Sequence, residues 1–362
     1  MDVSKAFLHG ELEEEICMSL PQGYTPPPNT VLPANLVCHL LKSLYALKQA
    51  SRQWYKRLSS VFLGANYVQS PADNTFFVNF SMLPTGECSI VVVLVYVDDI
   101  MIASNDAAAV EVLKSLLKSE FKIKDLGPAR FFLGLEISRT SNGISVFQCK
   151  YAQNLLEDAC LLGCKPSSVP MDPNLHLTKD MGTFLSSPMS YRELIGRLLY
   201  LTIKRPDITF VVHQLSQFIS APTDTLLQAA HKVLRYLKTN PGQYWATCKE
   251  TRRSITGYCI YLGSSLICWK SRKQAVASRS STESEYRSMA QTTCEIIWLQ
   301  QLLKDLHIKE VAPAKLFCDN KSALHIAMNL VFHERTKHIE IDCHTVCDQL
   351  KADTLKALHV LT

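Results

Sequence analysis

The chain has 362 residues, 47% hydrophobic and 20% charged, which is enough for two or three compact domains, each with its own core. A formal net charge of +5 suits a nucleic-acid partner but excludes the dense positive charge of a dedicated DNA-binding tail. The thirteen cysteines form no paired framework, the opening MDVSKAFLHGELEEE is charged within a few positions, and the longest apolar run, 90–97, is too short to cross a bilayer; the expectation is reduced thiols and an intracellular protein, cytoplasmic or nuclear, with no targeting segment and no membrane role.

In chain order, apolar periodicity predicts a helix over 51–63, a β-branched strand over 90–97, a helix over 107–119, and strands near 131–137 and 144–148. From 165 to 190 Pro and Ser are frequent and periodicity stops, which predicts a linker. Helical spacing returns over 191–202 and 223–238, broken at Arg205-Pro206-Asp207, where proline forbids continuation. Beyond about Tyr244 the pattern predicts strands over 254–262 and 266–271, a helix over 282–306, a strand over 315–318, a helix, and a strand over 355–360. The expected fold class is α+β.

The run VVVLVYVDDIMIAS places Asp98 and Asp99 at a turn after an apolar stretch that does not suit a solvated loop. Two acids at such a turn call for a cation; nucleotidyl transfer uses two divalent ions about 4 Å apart, held by converging hard oxygen ligands. An isolated Asp-Asp pair more often just caps a strand, but here Tyr96-Val97 precedes it and a second apolar strand follows. Lys48, Arg52, Trp54, Tyr55, Lys56 and Arg57 form a basic and aromatic helix able to hold a phosphate backbone. A surface helix with Trp54 in the core is an equal alternative.

Tyr96-Val97-Asp98-Asp99 resembles the signature box of reverse transcriptases, and further segments resemble copia-type retrotransposon Pol polyproteins, in the same order and over nearly the whole chain. The resemblance implies a reverse-transcriptase palm over 1–164 with the fingers missing and the linker over 165–190. A helical thumb or connection follows over 191–243, then an RNase H-like α/β domain over 244–362, incomplete at its first strand and C-terminus. It implies an RNA-directed DNA polymerase with RNase H, using Mg2+ or Mn2+, with an RNA or DNA template-primer and deoxynucleotides as partners. MDVSKAFLHG resembles the segment of the first catalytic aspartate, which is Asp2 here, and Phe7 stands where a bulky ring would collide with a ribose 2′-hydroxyl. In LLKSLYALKQASRQWYKRL, Lys48 and Gln49 would approach template and incoming nucleotide, with Ala46 and Ser51 where the family usually has Gly and Pro. FKIKDLGPARFFLGLEI resembles the segment closing around the primer terminus.

For the RNase H-like part, SRSSTESEYRSMA and LFCDNKSALHIA resemble the segments of two metal-binding acids, Glu285 and Asp319. Thr282 and Glu285 also have capping-box spacing, and read alone Glu285 would be a cap and Asp319 a turn residue. Gln243 and Tyr244 stand where another acid is expected, the fourth acid would lie beyond Thr362, and Glu340 and Asp342 read as solvated. At the front, Asp2 directly follows Met1, so a frayed strand is expected. These departures predict a chain inactive by itself. The competing expectations are an enzyme active within a longer polyprotein, a non-enzymatic nucleic-acid-binding remnant, and a partner of an intact element's polymerase.

His333, His338, Cys343, His344 and Cys347 do not match zinc spacing, and a helix there explains His344 and Cys347. Cys160 and Cys164 are expected to be buried thiols at a helix end.

Overall fold

The computed structural model describes residues 1–25, 36–83, 86–141, 143–172, 175, 177–178, 180–239, 255–274, 278, 280–308, 312–328 and 340–360. The chain divides into two compact units, Met1–Phe132 with Gln301–Ile308, and Leu133–Gln300 with Lys309–Thr362. Both mix helices and strands.

The first unit runs through β1 (Asp2–Val3), a 3-10 turn (Ala6–His9), β2 (Cys17–Ser19), β3 (Val37–His39), α1 (Ala50–Gly64), β4 (Val68–Gln69), β5 (Phe76–Met82), β6 (Cys88–Tyr96), β7 (Asp99–Ser104), α2 (Ala107–Glu120), β8 (Ile123–Lys124) and β9 (Phe131–Phe132). Six strands form a sheet in the order β4-β5-β6-β7-β1-β8. In β6 the period of two buries Val91, Val93 and Val95 in one core cluster with Trp54, Leu58 and Phe62 of α1 and Leu113 and Leu117 of α2. Asp106 caps α2, its carboxylate accepting from the amides of Ala108 (2.9 Å) and Ala109 (3.2 Å).

The expected fraying of the first strand is overturned. Asp2 pairs with Asp99 of β7 on one side and with Lys124 of β8 on the other. The Met1 amine donates to the Ile100 carbonyl at 2.8 Å, and the Ile100 amide returns a bond to Met1 at 2.9 Å. An internal strand is held by neighbours on both edges, a restraint that a reading of sequence position alone misses.

Ala46 does carry strained geometry: its φ is 72°. An L-residue pays roughly 1–2 kcal/mol in that left-handed region and glycine almost nothing. Ala46→Gly is therefore expected to stabilise the chain by about 0.5–1 kcal/mol after the extra unfolded-state entropy of glycine is subtracted. A urea titration checks this, and a lower midpoint at unchanged slope would contradict it.

The second unit begins with the hairpin β10 (Leu135–Thr140) and β11 (Gly143–Phe147), followed by α3 (Cys149–Asp158), α4 (Met189–Leu201), α5 (Pro206–Ser216) and α6 (Asp224–Thr239). Tyr191, Ile195, Leu198, Ile208, Val212, Leu226, Val233 and Leu234 make the core between the last three helices. Pro206 does end one helix, but it also opens the next: it sits in the first turn of α5, where its missing N–H costs nothing. Sequence periodicity passes over α5, and of α3 it anticipates only an end, placed at Cys160 and Cys164.

Then follow β12 (Ile255–Leu262), β13 (Ser265–Lys273), α7 (Ser281–Asp305), β14 (Ala314–Cys318), α8 (Lys321–Met328), α9 (Glu340–Lys351) and β15 (Leu355–His359). β12 and β13 form an antiparallel hairpin with a bulge at Ile260/Tyr261, whereas β14 and β15 run parallel. Tyr286, Met289, Leu316, Ala323, Leu324, Val346 and Leu355 form their core. Gln243 and Tyr244, His333 and His338, and the side chain of Glu340 lie outside the described residues.

The twelve cysteines among the described residues are all free thiols. Cys160 is exposed and Cys164 half-buried, contrary to the buried reading, because α3 stops at Asp158 and both fall in the turn after it. Cys347 is buried, its thiol directed to the Ala327 carbonyl at 3.1 Å, and His344 is exposed. Among the described residues no helix is long and apolar enough to cross a membrane.

Candidate active site

The β6–β7 hairpin turns on two residues, Val97 and Asp98, since Tyr96 pairs with Asp99. Two-residue hairpin loops need positive φ at one or both loop positions, usually supplied by Gly or Asn. Here Val97 supplies it, at 55°. For a β-branched residue this is a strained conformation that persists only when the surroundings enforce it. Two hydrogen bonds do so: the Trp54 indole donates to the Val97 carbonyl at 2.7 Å, and the Val3 amide donates to the Asp98 carbonyl at 2.8 Å.

Three carboxylates thus come from neighbouring backbone positions: Asp2 on β1, Asp99 opposite it on β7, and Asp98 in the turn. Asp98 is exposed, and Asp2 and Asp99 are half-buried. Burial, then the charges of Asp98 and Asp2, push the Asp99 carboxyl above the usual carboxylate range, with the N-terminal amine pulling the other way. An all-oxygen, anionic donor set of this kind fits a hard divalent cation.

The other residues expected around this site lie in the same unit. Phe7, in the 3-10 turn, is half-buried with its ring edge-on to Tyr45 at 5.1 Å. The turn ends at Gly10, where any Cβ would stand 2.9 Å from the Trp54 amide nitrogen, so glycine alone lets the segment lie against α1. Lys48 is exposed just ahead of α1, and Gln49, half-buried at its N-cap, donates to Glu14 at 3.4 Å. The basic helix is less available for phosphate than its composition implied. Lys56 pairs with Glu13, Arg57 pairs with Glu120 at 2.5 Å, and Trp54 is 2% exposed in the core. Those pairs join residues 43 and 63 positions apart in sequence, and composition does not disclose them.

In the second unit the structure brings together Glu285, in the second turn of α7, and Asp319, just past β14. With Cys318 they form a group whose ligand atoms all lie within 4.8 Å of one another; among the described residues it is the one such group, and Asp2, Asp98 and Asp99 do not converge as tightly. Burial and the charge of Asp319 push the Glu285 carboxyl up. The cap of α7 is Ser280, whose hydroxyl accepts from the Glu283 amide at 3.1 Å, not Thr282, which leaves Glu285 directed at Asp319. Cys318 was not anticipated; its burial at the end of an apolar strand, one residue before Asp319, was the available signal. Asp342 is half-buried rather than solvated, and burial raises its carboxyl against the opposing charge of Arg287.

A family model described as reverse transcriptase (RNA-dependent DNA polymerase) matches residues 1–173. The retrovirus-related Pol polyprotein from transposon RE1 of Arabidopsis thaliana is 39% identical over the whole of this chain and 25% of its own length. The corresponding polyprotein from transposon TNT 1-94 of Nicotiana tabacum is 34% identical, again over the whole chain, and is matched over 28% of its own length. A putative transposon Ty5-1 protein of Saccharomyces cerevisiae is 26% identical over 82% of the chain and all of its own length. The chain spans about a quarter of the length of the two plant polyproteins. No solved structure matches it. The two-residue aspartate turn, the family model and relatives aligned from end to end converge: the chain belongs to the reverse transcriptase family of copia-type transposon Pol polyproteins.

Proposed function

We propose that this chain is the segment of a Pol polyprotein that carries template-directed nucleotidyl transfer, with Asp2, Asp98 and Asp99 as the metal-holding acids of a palm. The pairing of Asp2 with Asp99 beside the Asp98 turn carries the reading. Asp2, Asp98 and Asp99 would hold Mg2+ or Mn2+, which would supply activation of the primer 3′-hydroxyl and positive charge for the phosphate. The chain's own contribution is position: the sheet fixes two carboxylates and the Trp54-anchored turn fixes the third. Phe7 would exclude a ribose 2′-hydroxyl, and Lys48 and Gln49 would approach template and nucleotide. Helices α3 to α6 would serve as thumb or connection, and the part from β12 onward as an RNase H-like domain whose Glu285 and Asp319 hold cations for cutting the RNA strand of a hybrid. Nucleic-acid template-primer and deoxynucleotides are the substrates of this reading.

We further propose that the isolated chain does not extend primers. The looser gathering of Asp2, Asp98 and Asp99 supports this, since positioning and electrostatics are most of what a phosphoryl-transfer site supplies. Template-dependent extension by the purified chain with Mg2+, lost on Asp99→Asn, would overturn it.

The metal assignment is tested without turnover. Because the Asp99 carboxyl is raised in the fold, the folded chain keeps that proton to higher pH than the unfolded chain does. The stability from this group is therefore full at acid pH and lost as pH rises through the folded value. Asp99→Asn removes that loss: it should melt slightly above the native chain at neutral pH, by a small margin because the group is largely solvent-screened, and level with it at acid pH. Millimolar Mg2+ should raise the native melting temperature by more than the variant's, whose remaining response belongs to Glu285 and Asp319. Equal Mg2+ responses in the two proteins would sink the assignment.

A further inference from the structure

The concavity lined by Lys165, Pro166, Ser167, Lys232 and Arg235, about 310 Å³ in volume, lies wholly within the second unit, and none of the acids named above lines it. Its volume falls at the low end of small-ligand clefts. Three cationic side chains share it, and no carboxylate is among its lining residues. Lys232 and Arg235 stand three positions apart on α6 and so share a face of that helix. Lys165 comes from the segment after α3. That segment is fixed against α6 at two places. The Ser167 amide donates to the Arg235 carbonyl at 3.1 Å, and the Lys238 ammonium donates to the carbonyls of Leu162 at 2.5 Å and Cys164 at 2.8 Å.

We propose that this cleft binds a phosphate group of a polynucleotide backbone. Like charges gathered on a restrained surface repel one another, and a bound anion turns that repulsion into attraction. Lys165 and Lys232 have no ion-pair partner among the described residues. The lining has no aromatic side chain on which a base would stack and no apolar wall beyond Pro166; such a lining contacts the backbone and ignores sequence. The choice of a polynucleotide over an acidic peptide rests on the nucleic-acid reading given above.

The test uses the full chain and a short fluorescein-labelled single-stranded oligodeoxynucleotide, with anisotropy titrations at several KCl concentrations. Losing one phosphate contact should reduce the slope of log affinity against log salt by roughly 0.7. The double variant Lys165→Ala/Lys232→Ala should show at least that reduction and weaker binding at low salt, at an unchanged melting temperature, and Lys165→Arg/Lys232→Arg should restore both. An unchanged slope in the alanine variant overturns the proposal. So does calorimetry in which inorganic phosphate binds the native chain and not the alanine variant while oligonucleotide binding is the same in both, which would mark a free-phosphate site. Poly-glutamate displacing the oligonucleotide from the native chain but not from the alanine variant overturns it in favour of an acidic peptide. Absence of Mg2+-dependent stabilisation at Asp99 would sink the polymerase assignment and leave these slopes untouched, so the two failures are separable.

Discussion

Asp207→Ala is expected to destabilise the second unit by about 3–5 kcal/mol, the usual cost of leaving one half of a buried ion pair without its partner. The Arg205 and Asp207 side chains are only 9% and 2% exposed. The Arg205 Nε donates to both carboxylate oxygens, at 2.8 and 3.1 Å, and its Nη2 reaches Oδ2 at 2.5 Å. The pair sits at the start of α5, where the helix dipole also favours an acid, and the guanidinium lies 5.7 Å from the centre of the Tyr236 ring on α6. Removing the carboxylate strands a cation that cannot lose its proton and cannot reach water without opening the packing between α5 and α6. Asp207→Leu combined with Arg205→Met should cost far less than the single change, because well-packed apolar side chains often replace a buried pair without loss. Urea unfolding of the single and double variants decides the matter. A double variant as unstable as Asp207→Ala would mean that the pair does more than offset its own desolvation.

The same tripeptide marks where sequence reading stops. Arg205-Pro206-Asp207 announced a break, and proline chemistry justified it, yet the break spans only Thr202 to Arg205 and opens a helix that periodicity had passed over. A helix such as α5, with Ile208, Val211, Val212 and Leu215 buried and Asp207, Thr209 and Gln214 buried beside them, shows little contrast between faces. The first strand failed for the opposite reason. Asp2 and Val3 were visible, but their two partners come from Asp99 and from Ile123 and Lys124, about a hundred residues on, and nothing local records that pairing. What was legible was legible locally. Alternation along β6 marks a strand with one buried face, and the run Tyr96 to Asp99 marks its turn. Glu285 and Asp319 were also found from their own segments, and the fold brings them together from different elements. Cys318 was missed because a buried thiol at the end of an apolar strand looks like any other core residue until its neighbours are in place.

Trp54 joins these two kinds of information, and its removal should have the largest effect on the first unit. Its indole is fully packed, edge-on to Phe121 at 5.1 Å, and its N–H is the donor to the Val97 carbonyl. Trp54→Ala should cost about 3–5 kcal/mol by lost transfer energy and the cavity left behind. Trp54→Phe is the more informative change, since it keeps most of the apolar volume and deletes the hydrogen bond, for about 0.5–1.5 kcal/mol. Val97 holds its left-handed conformation against a cost of roughly 1–2 kcal/mol, so a loss of that size at its anchor is comparable to the strain the anchor restrains. The turn should then relax while the sheet persists. In Trp54→Phe, amide hydrogen exchange at Val97 to Asp99 should quicken by more than it does along β5 and β6, and the stabilisation by Mg2+ should fall. Uniform quickening across the unit would show that Trp54 acts only through the core. Unchanged exchange at the turn would show that the Val3 amide and the sheet pairing hold the aspartates by themselves, and that the indole hydrogen bond is incidental to the placement of Asp98.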